Sequence, residues 1–119
     1  MSPTARSLEK LRKDGYTCAV TEKWNAFSKT RQDLFGCIDL VGIHPEKKGV
    51  LGIQATSTAN ISARVTKSTA EPRLKTWLLA GNSFSVWGWS KKGKRGEKKT
   101  WTLTSRDIVL DGQGNYNYT

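Results

Sequence analysis

Apolar residues recur along this chain first every three to four positions, then every second, and the switches between the two periods mark out its elements. Leu8 and Leu11 stand at helical spacing after Ser2-Pro3, a capping residue with proline at the first helical position, and Gly15 closes the segment. The exposed side of this predicted helix carries Arg6, Lys10, Arg12 and Lys13. Tyr16-Thr17-Cys18-Ala19-Val20-Thr21 is β-branched and aromatic and predicts a strand. Residues 22–33 are polar and rich in Lys and Arg, a crossing loop that Trp24 and Phe27 would pack onto the domain. Two short apolar runs follow, residues 37–43 and 49–56, joined by His44-Pro45-Glu46-Lys47-Lys48, and together predict a hairpin. Helical periodicity returns through Ile61, Val65, Leu74, Trp77 and Leu78, with Pro72 splitting or kinking the segment before Gly81-Asn82 ends it. Residues 84–89 alternate as a strand, 91–99 form an exposed loop, and 100–104 return as a strand. The order predicts an α/β domain over residues 1–110: a mixed central β-sheet flanked by helices, with an extra C-terminal β-hairpin strand. A flexible tail, residues 111–119, is expected to fray.

The register of the central hairpin follows from its turn. Folding back about the Glu46–Lys47 bond sets Ile43 opposite Val50, Val41 opposite Gly52, and Asp39 opposite Gln54. Directly opposed residues have Cβ atoms about 4.5–5.5 Å apart, which lets two oxygen ligands share one cation. Alternation then points Gln54 and Thr56 to the face of Asp39, and Leu51, Ile53 and Ala55 to the other. Such a polar trio is either a cation site or a hydrogen-bonded Asp–Gln pair at a solvent-facing strand end.

Composition narrows the partner. A chain of 119 residues accommodates one domain. Its 20 Lys and Arg against 10 Asp and Glu give a net charge of +10, more than solubility needs. That excess favours a polyanion, nucleic acid or an anionic membrane surface. The longest apolar stretch, Trp77-Leu78-Leu79-Ala80, is far short of the ~20 residues of a membrane span. Residues 1–6 lack the apolar core of a signal peptide. A cytoplasmic location is therefore expected, the host cytoplasm if the chain is viral. Cys18 and Cys37 have neither CxxC spacing nor a His-x-x-x-His partner, which argues against zinc and for small buried core residues.

A basic domain with a carboxylate on its central hairpin suits metal-assisted phosphodiester cleavage, which needs a hard cation held by oxygens and a positive charge beside the phosphate. Asp39 offers a carboxylate, Gln54 an amide oxygen and Ala55 a backbone carbonyl. Glu22 and Asp33, leading into the hairpin, offer further negative charge; Glu9 on the first helix is a third candidate, although Lys10 and Arg12 make a surface ion pair an equal account of it. Asp39, fourteen intervening residues, then Gln54-Ala55-Thr56 resembles the signature of the PD-(D/E)XK nucleases, an Asp on one strand and acid-x-Lys on the next. The small size and basic charge are similar to those of Holliday-junction resolvases and related phage endonucleases. The resemblance implies an αβββαβ restriction-endonuclease-like core, Mg²⁺ (or Mn²⁺) as cofactor, DNA as substrate and a homodimer that cuts two strands. It also exposes two departures: Gln54 replaces the second carboxylate and Thr56 the lysine. Asn60, Arg64 and Lys67 lie at i, i+4 and i+7 on the following helix. Lys67 or Arg64 could supply the missing charge, a relocation the superfamily tolerates; otherwise they form a solvated face or grip phosphates.

The remaining cations gather in residues 91–99, where Lys91, Lys92, Lys94, Arg95, Lys98 and Lys99 make six of nine positions. Such a loop suits phosphate contact. Trp87, Trp89 and Trp101 beside it suit either base stacking or sheet packing, and packing is expected for most of them. His44, at the turn and far from Asp39, is expected on the surface. The sequence thus supports a metal-dependent DNA endonuclease acting on branched or structured DNA. Its alternatives are a catalytically silent DNA- or RNA-binding protein on the same scaffold, or an assembly factor of nucleic-acid complexes.

Overall fold

The computed structural model describes residues 1–119. Helix α1 (Pro3–Lys13) begins where expected: the Ser2 side chain accepts from the Ala5 N–H at 3.1 Å, Pro3 occupies the first turn, and Gly15 turns the chain at a φ of +89°. Strand β1 (Thr17–Val20) follows. The expected crossing loop is instead a small antiparallel hairpin, β2 (Lys23–Asn25) and β3 (Thr30–Gln32), standing apart from the main sheet. Trp24 and Phe27 do not pack it down; both are exposed.

The predicted central hairpin is β4 (Leu40–Ile43) and β5 (Leu51–Ser57), pairing Val41 with Gly52 as its turn requires. A short 3₁₀ turn leads into α2 (Ile61–Thr69) and α3 (Pro72–Leu79). Pro72 opens α3 rather than kinking one long helix, since at the first helical position its missing N–H has no partner to lose. These helices carry the chain across to β6 (Ser83–Lys92), parallel to β5. β7 (Thr100–Leu110) then returns antiparallel along the whole of β6, well beyond the residue 104 at which alternation alone ended it. The tail expected to fray supplies a last strand, β8 (Tyr116–Tyr118), paired with β7, and Tyr116 packs against the core.

The result is an α/β fold with one mixed six-stranded sheet, in the order β1-β4-β5-β6-β7-β8, flanked by helices. Alternation sorts the core into two layers. Ile38, Phe84, Val86 and Ile108 pack with Ile61 of α2 and Leu74 of α3. Leu40, Ile53 and Trp87 pack with Leu11 of α1, and Trp89 joins them. Trp87 and Trp89 are thus packing residues, while Trp101 is exposed with the Arg6 guanidinium 3.6 Å above its ring. Cys37 is buried, as expected, and Cys18 is half-buried.

Strand direction sets what gathers at one end. β1 and β4 are antiparallel, as are β4 and β5, and β5 and β6 are parallel, so β1, β5 and β6 all run the same way. The β2–β3 hairpin after β1, the start of α2 after β5, and the 91–99 loop after β6 therefore leave from the same end of the sheet. No helix is long and apolar enough to cross a membrane.

Candidate active site

Asp39 stands one residue before β4, where its N–H donates to the Ile53 carbonyl at 2.8 Å and its own carbonyl accepts from Thr21 and Glu22. The Thr21 hydroxyl donates to the neighbouring Ile38 carbonyl at 2.9 Å, pinning the same stretch. Backbone bonds on both sides thus fix the Asp39 side chain before any side-chain contact is made. The predicted register then places Gln54 across from it, and the two side chains meet: Gln54 Nε2 donates to Asp39 Oδ2 at 2.5 Å. The Ala55 N–H donates to the same oxygen at 2.8 Å. Asp39, Gln54 and Thr56 are all buried on the face toward α2, as alternation required. Thr56 forms no side-chain bond with the other two.

The 22–33 hairpin brings the remaining acids. Lys23 pairs with Gln32, so extending that register by one step puts Glu22 opposite Asp33 at the hairpin's feet. Glu22, Asp33 and Asp39 each present a carboxylate oxygen, all within 4.8 Å of one another. Glu9 is not among them: it is exposed on α1, which packs against the opposite face of the sheet. Lys67, projecting from α2, reaches Asp33 at 3.1 Å and Gln54 Oε1 at 3.5 Å. Of the two candidate cations on that helix, Lys67 joins the site. Arg64 forms no ion pair. Arg31 of β3, which had no assigned part, holds Glu22 at 2.8 Å.

The electrostatics follow from crowding. Burial first, then the hydrogen bond to Asp33, pushes the Asp39 carboxyl up to about 7. Burial also works against the Asp33 carboxylate, but its bonds to Asp39 and Lys67 outweigh that and hold it below the usual range. One proton is thus held between two carboxyls near neutral pH, because two adjacent buried charges repel. Burial pushes the Cys37 thiol up to about 11, and its sulfur is not part of the carboxylate cluster.

The donor set is all oxygen, with no His and no thiolate, which suits a hard cation such as Mg²⁺ or Mn²⁺ and not zinc. The neutral member departs from expectation. Gln54 presents its nitrogen, not its oxygen, to the carboxylates, so serving as a ligand requires its amide to turn over. Ala55 enters through its N–H.

A cavity of about 730 Å³ lies elsewhere, on the α1 side between Tyr16, Leu51, Trp87 and Leu103. The acid cluster instead occupies the rim of the sheet. Lys91, Lys92, Lys94, Arg95, Lys98 and Lys99 are all exposed, and none forms an ion pair. His44 is at the far turn, half-buried against Tyr16. No family model, no curated protein and no solved structure matches the chain.

Proposed function

We propose that this chain is a metal-dependent endodeoxyribonuclease acting on branched or structured DNA. The observation that carries the reading is the meeting of three carboxylates, Glu22, Asp33 and Asp39, with the Lys67 ammonium beside Asp33. Carboxylates drawn together at the cost of a shared proton create a place where a divalent cation relieves the repulsion. Asp39, Asp33 and Glu22 would hold that ion, with the Ala55 carbonyl and a turned Gln54 amide as further oxygens. Bound there, it supplies Lewis-acid polarisation of a phosphoryl oxygen and a water of lowered pKa.

The chain's own residues supply the rest. Lys67 provides the positive charge that Thr56 does not, and offsets negative charge on a phosphate next to the carboxylates. Arg64, one turn earlier on α2, grips the backbone. The 91–99 loop leaves the same end of the sheet from β6, three strands from β1. At about 4.8 Å per strand the ends of β1 and β6 are ~14 Å apart, so the cationic hairpin and the cationic loop that leave them would flank a nucleic-acid backbone laid across this end of the sheet. A homodimer would give two such sites, one for each strand of a junction.

The second reading, a silent DNA- or RNA-binding protein, is favoured by the neutral Gln54 and the hydroxyl of Thr56. One experiment separates the two. Supercoiled plasmid and a synthetic four-way junction are incubated with Mg²⁺ or Mn²⁺ and either the wild-type chain or Asp39→Ala. Cleavage that disappears with Asp39 supports the nuclease; tight, salt-sensitive binding without cleavage by either protein leaves the binder.

A further inference from the structure

The acid cluster accounts for the feet of the β2–β3 hairpin but not for its tip. Trp24 is 63% exposed and Phe27 is fully exposed, although large aromatics are normally buried. β2 and β3 bond to no strand of the main sheet. Yet the turn is locked. Asn25 Oδ1 accepts from the N–H groups of Phe27 at 2.9 Å and Ser28 at 3.2 Å. The Ser28 and Thr30 hydroxyls bond at 2.6 Å, and Lys29 takes a left-handed φ of +54°. Arg31 ties the base to Glu22. Two-stranded hairpins are marginal alone, so these bonds hold an apolar tip out in water.

Charge indicates the partner. Lys23 and Lys29 are exposed on the same hairpin and form no ion pair. Aromatic rings interleaved with free cations match a nucleic-acid strand, whose bases stack on rings while its phosphates meet ammonium groups. A second copy of the chain matches poorly, because tip-to-tip contact would press the lysines of both copies together.

We propose that this hairpin reads unstacked bases in DNA. Phe27, with Trp24 behind it, stacks on a base exposed at a branch or mispair, and Lys23 and Lys29 hold the flanking phosphates. The proposal rests on the DNA reading above and adds the substrate feature that is recognised. Phe27 lies five positions beyond Glu22, in the turn, so at about 3.3 Å per extended residue the tip stands at most ~17 Å from the acid cluster, within roughly five base steps. Cutting would then fall at a fixed offset from the distortion.

The test is made in EDTA, where no strand is cut. A four-way junction carrying 2-aminopurine at its branch, and a matched duplex of equal length, are titrated with wild type and with the Trp24→Ala/Phe27→Ala double variant. Wild type quenches the probe. The double variant loses the quench and binds the junction 10–100-fold more weakly, while duplex affinity stays within about twofold. Phe27→Tyr keeps both properties. Should the double variant melt early, Phe27→Ser, which removes one exposed ring without adding charge, supplies the same comparison. Unchanged junction affinity overturns the proposal, and so does an equal loss on duplex. A dimer-to-monomer shift of the double variant in sedimentation also overturns it, marking the tip as a self-association surface. A chain that never cuts DNA but loses junction preference with its tip keeps the base reader and loses the nuclease. A wild type with no junction preference loses the reader alone, and its cleavage remains measurable on plasmid.

Discussion

Gln54 spans two carboxyl groups, donating from one amide nitrogen to Asp39 at 2.5 Å and to Asp33 at 3.4 Å. A neutral donor suits a site that must keep two acids together without an ion, and it weakens the same site toward one. Replacing it with a third carboxylate should reverse both effects. Gln54→Glu is expected to melt earlier than wild type in EDTA, by about 1–3 kcal/mol for the lost buried donor. It should also show the larger upward melting shift on adding Mg²⁺ or Mn²⁺. Equal metal-induced shifts in the two proteins would remove position 54 from the cation site.

The raised Asp39 carboxyl gives a pH signature. Unfolded, it ionises near 3.8; folded, it keeps its proton to about 7. A raised acid favours folding most below the lower value, and that contribution is lost as pH climbs between the two. Asp33, held below its usual range, contributes in the opposite sense, lost only as pH falls through its depressed value. In EDTA, wild type should therefore lose stability relative to Asp39→Asn between about pH 4 and 7, on the order of 1–3 kcal/mol because Asp33 shares the proton. Urea denaturation of both proteins across that range measures it. Parallel profiles would mean that Asp39 is not crowded in solution.

Lys67 is close to half exposed, so its bond to Asp33 contributes little to folding, about 0–1 kcal/mol. Its weight should appear in catalysis instead. Lys67→Gln is expected to leave melting nearly unchanged and to slow plasmid cleavage by roughly 10–100-fold, the scale of one lost charge-stabilising group. Arg64→Gln should raise the DNA concentration needed and change the rate at saturation less. Cleavage by Lys67→Gln at the wild-type rate would return that residue to the solvated face.

The central pairing was legible in the sequence because two constraints coincide there. Pro45 and the polar link fix the turn, and alternation fixes which side chains share a face, so Asp39 and Gln54 had one register available. The 22–33 hairpin offered neither constraint. Its strands are three residues long and largely exposed, and two bulky rings in a polar stretch look like anchors until the turn is seen to point them outward. Lys67 and Asp33 lie 34 positions apart, and only the packing of α2 over the sheet brings them together. The tail strand was masked by Gly112 and Gly114, turn residues that hide the alternation of Tyr116 and Tyr118.

Gly88 governs the packing of the sheet against the start of α2. A Cβ there would lie 2.5 Å from Ile61 Cδ1 and 2.8 Å from Thr58 Cα, and the second contact is backbone that cannot turn aside. Gly88→Ala should lower stability by about 1–3 kcal/mol through overpacking, read as an earlier melt. Because the shift also moves the root of the helix carrying Lys67, cleavage should fall below what the stability loss explains. A melt matching wild type would mean that the 3₁₀ turn seats loosely enough to make room.

The 91–99 loop should act through salt rather than chemistry. Neutralising Lys94, Arg95, Lys98 and Lys99 together is expected to flatten the dependence of log affinity on log salt, by about 0.9 for each duplex phosphate that these cations pair with. An unaltered slope would place these cations away from the DNA.

Two of the three carboxylates stand at the feet of a small, water-exposed ribbon, and the third at the start of β4, inside the six-stranded sheet. The two parts need not fail together. On warming, the ribbon should loosen while the six-stranded sheet is still intact, scattering the acids before the domain melts. The chain would then lose its chemistry some degrees before it loses its shape, and recover it on cooling without having to refold.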